Sequence, residues 1–459
     1  MSSENPEIQN LQQLKQTRKD QYAFGRSLRK NCSRSSHGKF RIQERNVVDL
    51  HIERTKGRIE ELLPIRYQRI LESPFTHFRG AAGVMAVDLV EQKSTELHIQ
   101  VCGDCHLLNF GGFATPERNI IFDINDFDET AVAPWEWDVK RLAASFTIAA
   151  RHKGFSKTKS RKIAELVVAS YTKNMRNYAK MSALQVWYED IRFEDMIKSS
   201  SDPLSKKLDQ KRLEKASERT PHEKEFEKMT EIKDGKVTIL DNPPLIYHLE
   251  GSRQEAFLNL AENAFVRYIE SLPDDRKVLL ENYKIQDVAV KVVGVGSVGT
   301  WCGVILLLSD SGDPLFLQFK EAYQSVLTPF TAKSDYEHHG QRVVNGQRLM
   351  QSASDIFLGW TSDDNGRDYY IRQMRDAKIK PVIETMNFKN LMHYANSCGW
   401  ALAQAHARSG KAAAIAGYIG KNDKFKKAIG RFSILYHKQN KKDYHTLLTA
   451  VEKGIIKME

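Results

Sequence analysis

Cysteine is scarce in this chain, long apolar runs are missing, and charge is nowhere segregated by sign; each absence removes a class of protein. Five cysteines in 459 residues, an odd number, do not make the disulfide framework of a small secreted domain. No stretch reaches the roughly 18 apolar residues of a membrane span, and the polar opening Met1-Ser2-Ser3-Glu4-Asn5-Pro6 has neither the basic nor the apolar part of an export signal. The expectation is a cytoplasmic protein with reduced thiols and no membrane partner. No repeat of solenoid period occurs. The net charge of +11 invites a nucleic-acid reading, because Lys and Arg release counterions from phosphates. Basic residues are mixed with acids throughout, however, instead of being concentrated as in nucleic-acid binders. A positive face that attracts ATP or an anionic substrate accounts for the charge equally well.

What is present is an ordinary globular composition, 41% hydrophobic and 28% charged, long enough for two or three compact units. Residues 1–45 read as a basic arm, with Arg26, Arg29, Lys30 and Arg34 around a Ser-rich turn. Residues 47–89 have helical apolar spacing (Ile59, Leu62, Leu63, Ile65, Tyr67) and read as packed helices. Alternation at Leu97, Ile99 and Val101 predicts a strand over 96–104, paired with a second over 119–124, and a helix follows over 137–151. The charged stretch 153–235 reads as helical, with a loop over 199–203. Between 286 and 321 the pattern turns to β, in three strands separated by glycine turns. Helices over 336–350 and 391–407 flank another strand at 369–373.

The densest chemical signal is Cys102-Gly103-Asp104-Cys105-His106-Leu107-Leu108-Asn109, followed by Asp123-Ile124-Asn125-Asp126-Phe127-Asp128. Phosphoryl transfer needs one carboxylate to orient the attacking hydroxyl, and an amide oxygen and a second carboxylate to hold magnesium. This segment supplies all three. Asp104 and Asn109 alone read as a polar turn capping neighbouring backbone. The CxxCH spelling also matches haem attachment, and CxxC suggests zinc. Haem attachment of that kind needs an exported chain, and no second CxxC completes a four-thiolate site.

Gly103-Asp104, His106 and Asn109 resemble the GDxHxxN loop of aminoglycoside and choline kinases. The resemblance places Asp126 where those kinases have their magnesium-binding Asp, in preference to Asp123. It places Asp138 where another Asp, at the start of a helix, steadies the catalytic loop. Asp123 and Asp128 are left as turn or supporting residues. More closely, Ser73-Pro74-Phe75, Arg79-Gly80-Ala81-Ala82, Asn125-Asp126-Phe127-Asp128-Glu129-Thr130 and Pro134-Trp135-Glu136-Trp137-Asp138-Val139-Lys140-Arg141-Leu142 resemble the bacterial domain-of-unknown-function family 2252. That likeness runs from about Gly25 to the C-terminal helices, and the family name supplies no substrate.

A second constellation is Gly294-Val295-Gly296-Ser297-Val298-Gly299-Thr300, flanked by strands and followed by Leu315-Phe316-Leu317-Gln318-Phe319-Lys320. A GxGxxG opening a helix is a dinucleotide signature, but here an apolar β segment follows. Glycine loop, strand, turn and strand ending in Lys resembles the kinase small lobe, which implies that Gly294, Gly296, Ser297 and Gly299 cover phosphates and Lys320 holds them. A Glu from the next helix should orient that lysine, and Glu337 is the candidate. Tyr370-Ile371-Arg372-Gln373-Met374 resembles the strand leading to the adenine-binding hinge. The helix holding His406 looks like the one that ordinarily precedes a catalytic loop, with His406 itself a packed residue.

These readings combine into an α+β, protein-kinase-like two-lobe fold, circularly permuted, with a mostly helical large lobe and an antiparallel-sheet small lobe. Its expected parts are a basic arm (1–45), a helical large lobe with the catalytic and metal-binding loops (46–285), a β-rich nucleotide-binding small lobe (286–380) and C-terminal helices completing the large lobe (381–459). The resemblance implies ATP- and magnesium-dependent phosphotransfer to an unknown small-molecule or protein acceptor. Catalytic Asp104 and Lys320, metal-holding Asn109 and Asp126, and nucleotide contacts at Gly294, Gly296, Ser297, Gly299, Lys320, Arg372 and Gln373 would carry it. AMP transfer on the same fold, a nucleotide-binding regulator without catalysis, and a basic nucleic-acid binder are the alternatives.

Overall fold

In the computed structural model, residues 17–41, 44–200, 202–217, 226–292, 294, 296, 298–374 and 377–458 are described. Ser297, expected in the glycine loop, lies outside them. The chain is mixed helix and antiparallel sheet. A six-stranded sheet packs beside a larger helical body that carries two short hairpin-like ladders. No helix of the described residues is long and apolar enough to cross a membrane.

The body is centred on the buried helix Glu136–His152, which packs against Lys157–Tyr178 and Lys424–Glu452. The helix Phe388–His406 in turn lies along Lys157–Tyr178. Trp135, entirely buried, stacks on Tyr171 at 5.8 Å between ring centroids at the heart of this core. Strands β1 (His98–Val101), β2 (Phe110–Ala114), β3 (Ile120–Ile124) and β4 (Ala131–Pro134) form two antiparallel pairs, β1 with β4 and β2 with β3. The expectation that the strand over 119–124 pairs with the one over 96–104 is therefore corrected. The Thr115–Asn119 turn closes β2 on β3 locally, with Thr115 N–H donating to the Asn119 carbonyl at 2.8 Å, and a short loop costs the least closure entropy. Register then decides the site. Val101 faces Ala131 and Phe110 faces Ile124, so residues 102–109 and 125–130 leave their ladders together and lie side by side.

The six-stranded sheet runs β11 (Gly359–Ser362), β12 (Asp368–Gln373), β10 (Pro314–Glu321), β9 (Cys302–Ser309), β8 (Tyr283–Lys291), β7 (Ile246–Tyr247). Side chains alternate faces along a strand. On β10, Leu315, Leu317 and Phe319 pack with Phe257, Ala261 and Tyr268 of the helix Ser252–Glu270. Phe316, Gln318 and Lys320 take the other face, where Phe316 meets Ala289, Val304, Met374 and the β5 (Thr230–Lys233) and β6 (Lys236–Ile239) ribbon through Met229 and Ile239. The sheet layer therefore takes in residues from 226 onward, upstream of the expected boundary at 286. Residues 153–235 are likewise not wholly helical, since the β5–β6 ribbon ends them. The basic arm also differs from expectation: its helix Arg18–Ser27 packs on Ala412–Ile419, so closely that a Cβ on Gly25 would overlap the Ala414 carbonyl.

Candidate active site

The loop 102–109 is held from beneath by one carboxylate. Asp138, in the first turn of the helix Glu136–His152, accepts from Cys102 N–H at 2.8 Å and Gly103 N–H at 3.1 Å. His406 Nε2 lies 3.2 Å from Asp138 Oδ2 while its Nδ1 meets the Tyr171 hydroxyl at 2.9 Å. His406 is thus a buried scaffold residue, and the network fixes where Asp104 stands. Gly103 has φ +83°, and a Cβ there would collide with the Glu129 backbone; only glycine gives both the left-handed turn and the close approach of the two loops.

Asp104 receives both Arg141 Nε (2.6 Å) and Nη2 (2.5 Å) on Oδ1, which leaves Oδ2 as the edge for a ligand. Burial pushes its carboxyl above the ordinary value, against the opposing pull of Arg141 and Arg79. Asn109 donates its amide Nδ2–H to the Asp104 carbonyl at 2.8 Å, so its amide oxygen is the atom available to a cation. Asp126 accepts only weakly from Asp128 N–H, at 3.3 Å. Its carboxyl is pushed up to about 6 by burial and by the neighbouring Asp128, with Lys320 and Arg372 pulling the other way.

Lys320, 5% exposed, reaches across from β10 and forms an ion pair with Asp128, which also accepts from the Tyr370 hydroxyl at 2.7 Å. Burial opposes the lysine's charge, but Asp128, Tyr370 and Asp126 overcome it and hold the ammonium charged. Burial likewise raises Asp128, yet Lys320 more than reverses this and keeps it ionised. The acid that meets the lysine is therefore Asp128, read from sequence as a turn or supporting residue, and not Glu337, which is exposed just ahead of the helix His339–Met350. That helix contributes Arg342 instead, whose Nη2 donates to the Asp128 carbonyl at 2.8 Å.

Asp104, Asn109, Asp126, Lys320, Gly294 and Gly296 line one cleft. Gly299 bonds to the wall of that region, its carbonyl accepting from Ile59 N–H at 2.8 Å. Arg372 and Gln373 are not among its lining residues; they line a second pocket with Asn125, Gln347 and Asp355. The Gln373 N–H there donates to Asp355. Arg372 still touches the acidic loop, donating to the Asn125 carbonyl at 3.4 Å.

Sequence reasoning missed the arginines that complete the cleft. Arg69 donates to the Gly294 carbonyl at 2.8 Å, Arg66 to Gly296 at 2.5 Å and Arg58 to Val298 at 2.6 Å. Arg54 and Arg79 line the same space. Their signal was four arginines, at 54, 58, 66 and 69, within a segment whose apolar spacing is the more conspicuous pattern.

Two groupings could hold a cation. Asp126 and the Asn109 amide oxygen are hard oxygen donors of the kind magnesium takes, and a cation there would relieve the repulsion that raises Asp126. Cys102, Cys105 and Asp138 also offer ligand atoms within 4.8 Å of one another. Their chemistry is less suited, because burial pushes both thiols up and both Asp138 oxygens already serve the loop.

An antiparallel sheet and a helical body, with a cleft lined by acids and arginines, make this an α+β protein. Residues 58–450 match the family model described as an uncharacterized protein conserved in bacteria (DUF2252), and the chain belongs to that family. No curated protein and no solved structure matches the chain.

Proposed function

We propose that this chain is an ATP- and magnesium-dependent phosphotransferase of circularly permuted, kinase-like architecture. The observation that carries the reading is the meeting of Lys320 with the Asp126–Asp128 loop across 192 residues of chain, in the same cleft as Asp104, Asn109 and the glycine loop. A buried cation, two acidic loops and a glycine turn are what positioning and charge stabilisation of a triphosphate require.

In this reading Lys320 grips phosphate oxygens, and Asp126 with Asn109 would hold magnesium, whose charge would offset that of the phosphates. Asp104, fixed by Arg141 and the Asp138 network, orients the acceptor hydroxyl and takes its proton on Oδ2. The acceptor oxygen bonds to the γ-phosphorus, the bond from that phosphorus to the bridging oxygen breaks, and ADP leaves with the electron pair. Incubation of the full chain with ATP, magnesium and a cell metabolite extract, followed by mass spectrometry, should reveal a phosphorylated product and ADP. An AMP-bearing product would replace this reading with nucleotidyl transfer. Tight magnesium-dependent ATP binding with no product from any acceptor would make the protein a regulator, and failure to bind ATP would end the nucleotide reading altogether. Asp104→Asn should keep ATP binding and lose turnover.

A further inference from the structure

Arg54, Arg58, Arg66 and Arg79 line the cleft but come from a different stretch of chain than the nucleotide-gripping sheet. Arg66 is only 2% exposed, and Arg58 and Arg66 donate to the Val298 and Gly296 carbonyls, so these guanidinium groups lie against the glycine loop. Arg79 Nε is buried with no hydrogen-bond partner among the described residues. Two of the acids lining the cleft are already engaged: Asp104 takes two donors from Arg141, and Glu129 accepts from Val326 N–H at 2.6 Å. Burial, with Arg58 and Arg54 close by, pulls Arg66 down to about 9. Several guanidinium groups gathered out of water repel one another and cost desolvation; an oxyanion held by their planar forks would relieve both costs.

We propose that the acceptor bears a phosphate-type oxyanion, held by Arg58, Arg66 and Arg79 beside Asp104, so that the substrate class is a small phosphomonoester carrying a free hydroxyl. The word acceptor rests on the phosphotransferase reading; the anion site itself does not. With one oxyanion anchored by the arginines, the hydroxyl of a short molecule falls next to the Asp104 carboxylate, where transfer is oriented.

The test is calorimetry on the full chain with inorganic phosphate and with glycerol 3-phosphate, in the presence and absence of magnesium and a non-hydrolysable ATP analogue. Phosphate should bind with the analogue already in place, and Arg79→Gln should weaken phosphate by about tenfold or more while the analogue's affinity changes by less than about twofold. Lys320→Met should do the reverse. Arg79→Lys keeps the charge and loses the fork, so it too should weaken phosphate, and it serves if the glutamine variant does not fold. Unchanged phosphate affinity in the Arg79 variants overturns the proposal. So does displacement of the analogue by phosphate, which would assign the arginines to the nucleotide. Arginine-dependent phosphate binding without any analogue binding would sustain the anion site and remove the phosphotransferase reading.

Discussion

Arg45 between Asp88 and Asp443, and Lys320 beside Asp126 and Asp128, are made of the same parts, a cation between two carboxylates, and they do opposite work. Arg45 donates Nε and Nη2 to Asp88 at 2.5 and 2.8 Å, and Nη1 and Nη2 to Asp443 at 3.2 and 2.7 Å. The Tyr436 hydroxyl and the Gln439 amide donate to two of the same oxygens, Asp88 Oδ2 and Asp443 Oδ1. Every carboxylate oxygen of that triad is hydrogen-bonded, and it joins segments far apart in sequence. In the cleft, Lys320 pairs with Asp128, and Asp126, accepting a weak bond from the Asp128 N–H, keeps a raised carboxyl despite the pull of Lys320 and Arg372. The two clusters carry the same formal charge and differ in hydrogen bonding: the one whose carboxylate oxygens are all engaged stabilises the fold, and the one with an open carboxylate can meet a ligand's cation.

The largest effect should come from the satisfied side. Arg45→Met leaves Asp88 and Asp443 buried without their cation and should lower stability by about 3–5 kcal/mol in urea unfolding, with magnesium and ATP still raising the melting temperature of whatever folds. A loss below about 1 kcal/mol would show that the two clusters do not differ as described. On the other side, Lys320→Met should cost about 100-fold in nucleotide affinity by calorimetry, roughly 3 kcal/mol, with a smaller loss of fold stability than at Arg45.

Asp126→Asn sharpens the contrast because its sign is reversed. A carboxyl whose folded pKa is raised from 3.8 to about 6 binds protons more tightly in the native state, so it penalises the fold as pH rises through that window. The penalty is absent below the unfolded value and complete above about 6. Asn lacks it, so the ligand-free variant should be about 1–2 kcal/mol more stable than the parent at pH 7, allowing for partial exposure, and no more stable near pH 3. Magnesium should no longer strengthen ATP binding. The smallest effect belongs to Glu337→Ala, which should move stability by less than about 0.5 kcal/mol and leave nucleotide affinity unchanged, since Asp128 meets the lysine.

Much of the site was legible because its residues cluster in short stretches. Asp104, Asn109 and Asp126 sit on two loops whose spacing carries the chemistry, and Lys320 ends a strand whose alternation fixes its face. What could not be read were relations set by tertiary packing. The pairing of β1 with β4 rather than with β3 is a long-range relation, while β2 closes on β3 through a local turn, and strand alternation alone does not distinguish the two. The Lys320 partner came from a loop distant in sequence, where a local search along the next helix pointed to Glu337. The helix Ser252–Glu270 gave no sign that its apolar stripe would cover the sheet, because an amphipathic helix does not name the surface it meets. The arginine wall was hidden for a related reason: charged residues on a helix read as solvated until something buries them.

The segment after β12 binds the sheet to the body at one point, where Gly112 and Ile379 exchange backbone hydrogen bonds of 2.9 and 2.7 Å. On the glycine-loop side, Arg58, Arg66 and Arg69 tie the loop to the body. Mechanically, the first is a pivot and the second a latch. The Ile59–Gly299 backbone bond and the Lys320–Asp128 ion pair act beside that latch, in which each charge-assisted bond contributes on the order of 1.5–3 kcal/mol. An anion that recruits those same guanidinium groups loosens the latch as it binds, so occupancy of the cleft and the force holding it shut are set by one group of side chains.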